Sequence, residues 1–308
     1  MHLNIECRKH ICDGIVRFII GMAKKLIIAD TIAVPVDNIF ALGASDLTPP
    51  LAIFGALCFA LQIYFDFSGY SDMAIGLGRM FGFRFPENFD YPYISKSIRE
   101  FWHRWHMTLS RFFRDYVYIP LGGSRLGSTR TCINLFAVFF LCGLWHGANW
   151  TYVFWGLYHG LFLFLERTSF GNMIHRLPNA LRHVYVLSIV SIGWILFRSP
   201  SMDHAVMYLQ SLMSVSDWNE PLVQLRTVAD SYELFIFVVG CLCSVPIVQT
   251  IEKWSSRFDF SNQSPMVFQK IFSGARSIGF AFFMGVLFLL SLGTMSAQTY
   301  KAFIYFRF

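Results

Sequence analysis

Two histidines carry the chemistry that this sequence can offer. The first, His106, lies in a basic, aromatic block, Phe101–Tyr118, that reads FWHRWHMTLSRFFRDYVY. The second, His146, lies in Leu144-Trp145-His146-Gly147, within an apolar stretch. Histidine is costly in lipid, and its pKa suits proton transfer near neutrality. Two of them in such settings point to acid–base chemistry performed inside a membrane. Gly143 and Gly147 strip bulk from around His146, so a substrate or another helix can approach its ring. Trp145, Asn149 and Trp150 share its local surface, and Asn149 has the i,i+3 spacing to hold the ring. His159 sits in the same glycine setting, Gly156-Leu-Tyr-His159-Gly160, and competes for the role. The plainer reading is a pair of structural histidines bonded to neighbouring helices.

Other polar side chains stand where they need a reason. Asp66 and Asp72 fall between apolar runs. At such depth a carboxylate must pair or face water, so each either partners Arg or His in a polar, substrate-holding cavity or caps a re-entrant turn. Arg104 and Arg111 either attract an anionic donor or are ordinary residues of a cytoplasmic face. No spacing of Cys, His or acids suggests a metal site, and Cys58, Cys142, Cys241 and Cys243 read as buried apolar side chains.

The elements that must position these residues are helices. Ser97-x-x-Glu100 has capping-box spacing, so a helix should begin near Ile98 and end before Pro120. Over 98–118 it places Trp102, Trp105, Leu109, Phe112, Phe113 and Tyr116 on one stripe and pairs Glu100 with Arg104 and Arg111 with Asp115. This is an amphipathic helix on the cytoplasmic side, with His106 at the stripe's edge. Phe81, Phe85, Phe112 and Phe113 read as packing residues.

The whole chain is apolar. Of 308 residues, 55% are hydrophobic and 14% charged, with 34 Phe, 13 Tyr and 8 Trp. Soluble domains carry about 25% charged residues. Long apolar runs, without strand alternation, imply an all-α, multi-pass membrane protein in contact with the lipid bilayer. Candidate membrane segments are 51–66, 68–83, 132–148, 151–166, 184–198, 233–251 and 278–297. Several are shorter than the ~20 residues of a full span, which suggests tilted or re-entrant pieces. Segment 14–34, interrupted by Lys24-Lys25, reads as interfacial or as a broken span. Lys and Arg cluster in 84–130, 167–183 and 252–276, whereas 199–232 holds Arg226 alone, so the first three face the cytoplasm. The net charge of +6 then marks the inner membrane face and not nucleic acid. No phosphate-binding motif is present, which disfavours an ATP-driven pump.

From the residues alone, an enzyme and a transporter without bond chemistry stand nearly level. A non-catalytic scaffold of an export complex and a bis-histidine haem protein are further readings. The stretches FDFSGYSDMAIGLGRMFGFRFPENFDYPYISKSIREFWHRWHMTLSRFFRDYVYIPLGGSR, LCGLWHGANWTYVFWGLYHG, GWILFR and the ending FIYFRF decide between them. They resemble the membrane-bound O-acyltransferase (MBOAT) family, in particular its bacterial alginate O-acetyltransferase branch. The resemblance covers residues 14–308.

It implies one membrane domain over 1–308, a bowl of tilted and re-entrant helices around a central tunnel. It implies His146 as the catalytic residue and His106 as the second residue linked to activity. On this reading His146 is the general base, and His106 orients the acyl group or stabilises the oxyanion. Trp145, Asn149, Arg104 and Asp72 are the candidate substrate-binding residues. The donor would be acetyl-CoA or an acylated carrier, with no bound cofactor. The final acceptor would be an extracytoplasmic polysaccharide, reached through periplasmic or membrane-anchored acetyltransferase partners at the bacterial inner membrane. Cellulose, peptidoglycan and teichoic acid are the acceptors of other branches. Typical members carry further N-terminal spans ahead of the segment resembling Gly21-Met-Ala-Lys24-Lys25, so the chain reads as the C-terminal two-thirds of one.

Overall fold

The computed structural model describes residues 2–214, 218, 221–247, 250 and 266–297. The basic stretch 252–265 and the ending FIYFRF lie outside the described residues. Those described are helices and connecting turns, with no strand among them. Helix α1 (His2–Ala23) passes through a π-helical turn at Lys24–Ala29 into α2 (Asp30–Phe40) and is followed by α3 (Pro49–Met80). Two short helices, α4 (Ile98–Arg104) and α5 (Met107–Phe113), lead to α6 (Ser128–His146), α7 (Trp150–Leu165), α8 (Ser169–Arg176) and α9 (Asn179–Arg198). Then come α10 (Met202–Met213), α11 (Pro221–Val228), α12 (Ser231–Cys243) and α13 (Met266–Ala297). Four segments are long and apolar enough to cross a membrane: α3, Gly127–His146, α9 and Ile278–Ser296. The chain is a multi-pass, all-α membrane protein.

The expected pair 51–66 and 68–83 is one helix of 32 residues. Asp66-Phe67-Ser68-Gly69 does not break it, for two reasons that lie on α1 and the turn that follows it. The first is close packing. Gly14 faces Gly76, and Gly21 faces Gly69. A Cβ on Gly14 would stand 2.7 Å from the Gly76 carbonyl oxygen, and one on Gly21 2.6 Å from that of Gly69. On each helix the two glycines are seven residues, two turns, apart, so an antiparallel glycine seam joins residues 14–21 of α1 to 69–76 of α3.

The second is charge pairing along the same seam. Arg17 holds Asp72 Oδ1 through Nε at 3.0 Å and through Nη2 at 2.8 Å. Lys24 Nζ reaches Asp72 Oδ2 at 2.6 Å. Lys25, Asp30 and Asp66 are buried together, with Lys25 Nζ 2.9 Å from Asp30 Oδ1 and donating also to Asp66. Neither acid caps a turn; both sit inside a continuous helix and are neutralised across it. Segment 14–34, expected to be interfacial or a broken span, is continuous helix whose π-helical turn carries both lysines.

The centre of the fold is aromatic. Trp105 after α4 packs 4.8 Å from the Trp194 ring on α9, and Trp194 stacks on Trp155 of α7 at 6.0 Å. Helices α6 and α7 meet where Gly143 lies against the Tyr152 carbonyl and Gly156 against that of Phe139, with no room for a side chain at either place. Of the four phenylalanines expected to pack, Phe113 is buried, whereas Phe81, Phe85 and Phe112 are exposed. Phe81 and Phe85 follow the end of α3, where Phe85 lies over Gly78, and Phe112 turns outward against Tyr116. Cys58 and Cys142 are buried as expected, but Cys241 and Cys243 lie on the outer face of α12.

The buried triad gives a stability prediction. Lys25→Met leaves two carboxylates without their cation and should cost about 3–5 kcal/mol. Converting Lys25, Asp30 and Asp66 together to apolar residues of similar size should recover most of it. Thermal unfolding of the purified protein in detergent measures both. Equal midpoints for wild type and Lys25→Met would show that the triad does not hold the π-helical turn and α2 to α3.

Candidate active site

The helix expected over 98–118 is interrupted at His106. Its start is as expected: Ser97 Oγ accepts from Glu100 N at 3.0 Å. Glu166, far away in sequence, adds a second cap, its two carboxylate oxygens accepting from Ile98 N at 2.6 Å and Arg99 N at 3.1 Å. After Arg104 the chain turns. Trp105 is extended, and His106 is left-handed at φ 42°, ψ 57°. A non-glycine residue in that region costs roughly 1–2 kcal/mol. The segment 88–90 fits into the break and takes up the freed backbone groups. Met107 N donates to Asn88 O at 3.0 Å, and Asp90 N to Arg104 O at 3.1 Å. Beyond the break only part of the apolar stripe packs inward: Leu109 and Phe113 do. Phe112 and Tyr116 are exposed, and Asp115 pairs with Arg114 at 2.8 Å in place of Arg111.

The break brings His106 to His146. His106 packs edge-on to Phe67 of α3 at 4.6 Å and lies 6.3 Å from the Trp145 ring. His146 ends α6 and is buried among Trp145, Trp155 and Phe197, at ring distances of 4.8, 5.1 and 5.1 Å. Both histidines line a cavity of about 600 Å³. Exposed basic residues form its mouth: Arg99, Arg111, Arg114 and Arg167, with His103 and His175. Its inner wall is apolar and includes Cys142, Trp155 and Phe113. A charged mouth above an apolar, histidine-bearing interior suits a substrate with an anionic head and a short acyl end.

His159 does not share the cavity. It is fully buried, with both ring nitrogens enclosed and Nε2 pressed against Gly193. The glycines around the two histidines thus serve helix contact: Gly143 admits α7, and Gly147 faces the Tyr152 ring.

Three expected substrate residues lie elsewhere. Asn149 caps α7, its Oδ1 accepting from Thr151 N at 3.1 Å and its Nδ2 donating to Pro200 O at 3.1 Å, so it does not hold His146. Arg104 is committed to Asp90 Oδ2 at 2.7 Å and Glu100 Oε1 at 3.1 Å. It braces the break and does not line the cavity; Arg111 does. Asp72 belongs to the α1–α3 seam. Trp145 touches both catalytic candidates and is 55% exposed. The residue that sequence reasoning missed is Asn88, whose Oδ1 lies 3.2 Å from His106 Nδ1. Its one sequence signal is its place in a polar turn after Pro86.

Long apolar helices, glycine seams between them and two histidines at one cavity define a polytopic membrane protein with a histidine-lined internal cavity. Residues 47–186 match the model of the membrane-bound O-acyltransferase family. A probable alginate O-acetylase of Pseudomonas putida is 40% identical over 305 residues, 96% of this chain and 61% of that protein. Its counterpart in Pseudomonas aeruginosa is 50% identical over 206 residues, 67% of this chain and 39% of that protein. A peptidoglycan O-acetyltransferase of Helicobacter pylori is 38% identical over 212 residues, 68% of this chain and 40% of that protein. The chain therefore matches less than two thirds of the length of each.

Burial pushes His106 down from its ordinary 6.5 to about 4. The unfolded ring therefore binds a proton that the folded ring refuses between about pH 4 and pH 6.5, and stability rises with pH through that window. The thermal midpoint should drop as pH falls from 7 to 4.5, and less in His106→Gln. Equal drops would mean that His106 is not held neutral.

Proposed function

We propose that the chain is a membrane O-acyltransferase that moves acetyl groups across the bacterial inner membrane for O-acetylation of an extracytoplasmic, alginate-like polysaccharide. The observation that carries this reading is the meeting of His106 and His146 at one cavity with a basic mouth and an apolar interior. The relatives' names support the acetyl group and the polymer, and the Helicobacter relative favours peptidoglycan as the second candidate acceptor.

The donor is an acyl thioester, acetyl-CoA or an acylated carrier, whose phosphates meet Arg99, Arg111, Arg114 and Arg167. Trp145, beside both rings, walls the acyl group. His146 and His106 are the catalytic residues, supplying the proton transfers of acyl exchange; correctly placed acid–base groups contribute about 10²–10⁴ in rate. Periplasmic or membrane-anchored acetyltransferases take the acetyl group onward to the polymer, and no bound cofactor is required. The whole of residues 1–308 works as one domain.

Acetyl content of the exported polysaccharide, in a strain lacking its own copy and complemented with this gene, tests the reading. Wild type should restore acetylation; His146→Gln and His106→Gln, at matched membrane levels, should each slow the transfer by about 10²–10⁴ and leave the polymer essentially unacetylated. Full acetylation by either variant would remove that histidine from the mechanism. Full acetylation by both, with loss on Gly143→Leu, would favour a scaffold.

A further inference from the structure

Asn88 is placed to decide which nitrogen of His106 carries the proton. Its side-chain orientation is fixed independently of the histidine. The Thr108 backbone N–H can only donate, and it lies 3.3 Å from Asn88 Oδ1; Thr108 Oγ1 donates to the same oxygen at 2.6 Å. The amide nitrogen of Asn88 points the other way, to Ser71 Oγ at 3.3 Å. The atom 3.2 Å from His106 Nδ1 is therefore an acceptor, and Nδ1 must bring the hydrogen. A neutral imidazole with its proton on Nδ1 has its lone pair on Nε2. Among the described residues no hydrogen bond to Nε2 occurs, and the ring lines the cavity. The backbone of His106 is fixed by the same residue, through Met107 N and Asn88 O. The groups facing the ring are Phe67 from α3, Trp145 and His146 from α6, and Asn88. His146 is the one titratable group among them.

This arrangement does not suit the role that the resemblance implies for His106. Orienting an acyl oxygen or stabilising an oxyanion needs an N–H directed at the substrate, and this tautomer offers a lone pair there. We propose that Asn88 is a positioning residue that locks His106 in the Nδ1–H tautomer, so that Nε2 accepts the proton of the attacking hydroxyl. The proposal rests on the acyl-transfer reading. In the step, the hydroxyl oxygen bonds the acyl carbon while its O–H bond breaks toward Nε2. The carbon–sulfur bond of the thioester then breaks, and the imidazolium returns the proton to the departing sulfur.

The test uses full-length protein labelled with ¹⁵N-histidine, in detergent, with the His106 signals assigned by comparison with His106→Gln. Wild type and Asn88→Asp, which keeps the acceptor oxygen, should show hydrogen on Nδ1 and a bare Nε2. Asn88→Ala should lose that preference and show a drop of at least about tenfold in kcat with KM little changed. Asn88→Asp should stay active but lose activity at higher pH on the acid side, because a carboxylate favours the imidazolium and a base must be neutral. Hydrogen on Nε2 in wild type, or an acid limb that Asn88→Asp leaves in place, would overturn the proposal. Absence of acetyl transfer by wild type would overturn the acyl-transfer reading and the catalytic step with it, while the tautomer is read separately by the nitrogen shifts.

Discussion

Two backbone hydrogen bonds, from Met107 N to Asn88 O and from Asp90 N to Arg104 O, set the geometry of the site. Inside a membrane domain an unpaired backbone group costs several kcal/mol, so a helix cannot simply stop. Here α4 stops because a neighbouring segment supplies the partners. Both sides of this pairing carry a non-glycine residue in the left-handed region, His106 on one and Tyr91 on the other. Such conformations persist only where surrounding contacts over-determine them. The Arg104 side chain on the Asp90 carbonyl and carboxylate, and the Asn88 side chain on Thr108 and His106, are those contacts. The site is a deliberate break in an amphipathic helix, filled by a turn.

The seams around it explain why the break can be held in register. Residues 88–90 follow α3 closely in the chain, and α3 is locked to α1 and its π-helical turn by glycine contacts and by Arg17, Lys24 and Lys25. Arg17 reaches past Asp72 to Glu87, so the network that neutralises Asp72 also pins the residue next to Asn88. On the other side, Glu166 at the end of α7 fixes the start of α4. His146 depends on α7 as well, since Gly143 and Gly156 bring α6 close enough for Trp155 to pack on its ring. Each histidine is thus placed by a helix that belongs to a glycine-packed pair.

Much of this was legible in the sequence, and the failures have causes. Long apolar runs gave the helices and the membrane class, because hydrocarbon leaves few alternatives. His106 and His146 stood out as polar groups in costly places, and Ser97 and Glu100 marked the start of α4. The break at Trp105–His106 was invisible, since no glycine or proline marks it and the helical stripe continues past it; the partner that makes it stable lies in another segment. Arg104, Asp72 and Asn149 stood as candidate substrate ligands because the sequence does not show the long-range contacts that occupy them. Their partners are Asp90, Arg17 and Pro200, two of them more than fifty residues away in the chain. The heptad spacing of Gly14 with Gly21 and of Gly69 with Gly76 was readable, but its meaning required knowing that the two segments face each other.

The contrast between His146 and His159 shows what decides candidacy in such a protein. Both follow a Gly-Leu-aromatic pattern, both are buried, and both pack on Trp155. Burial and neighbours therefore do not separate them. What separates them is access. His146 ends its helix, so its ring meets the cavity from the last turn of α6. His159 sits in the middle of α7, where Gly193 of α9 closes over its Nε2. A base needs its proton source within hydrogen-bond reach, about 2.6–3.2 Å. A helix interior in a packed bundle cannot admit a hydroxyl to that distance, whereas a helix end or a helix break can. His146 occupies the first kind of place and His106 the second, so both rings reach the cavity at points where helices are interrupted.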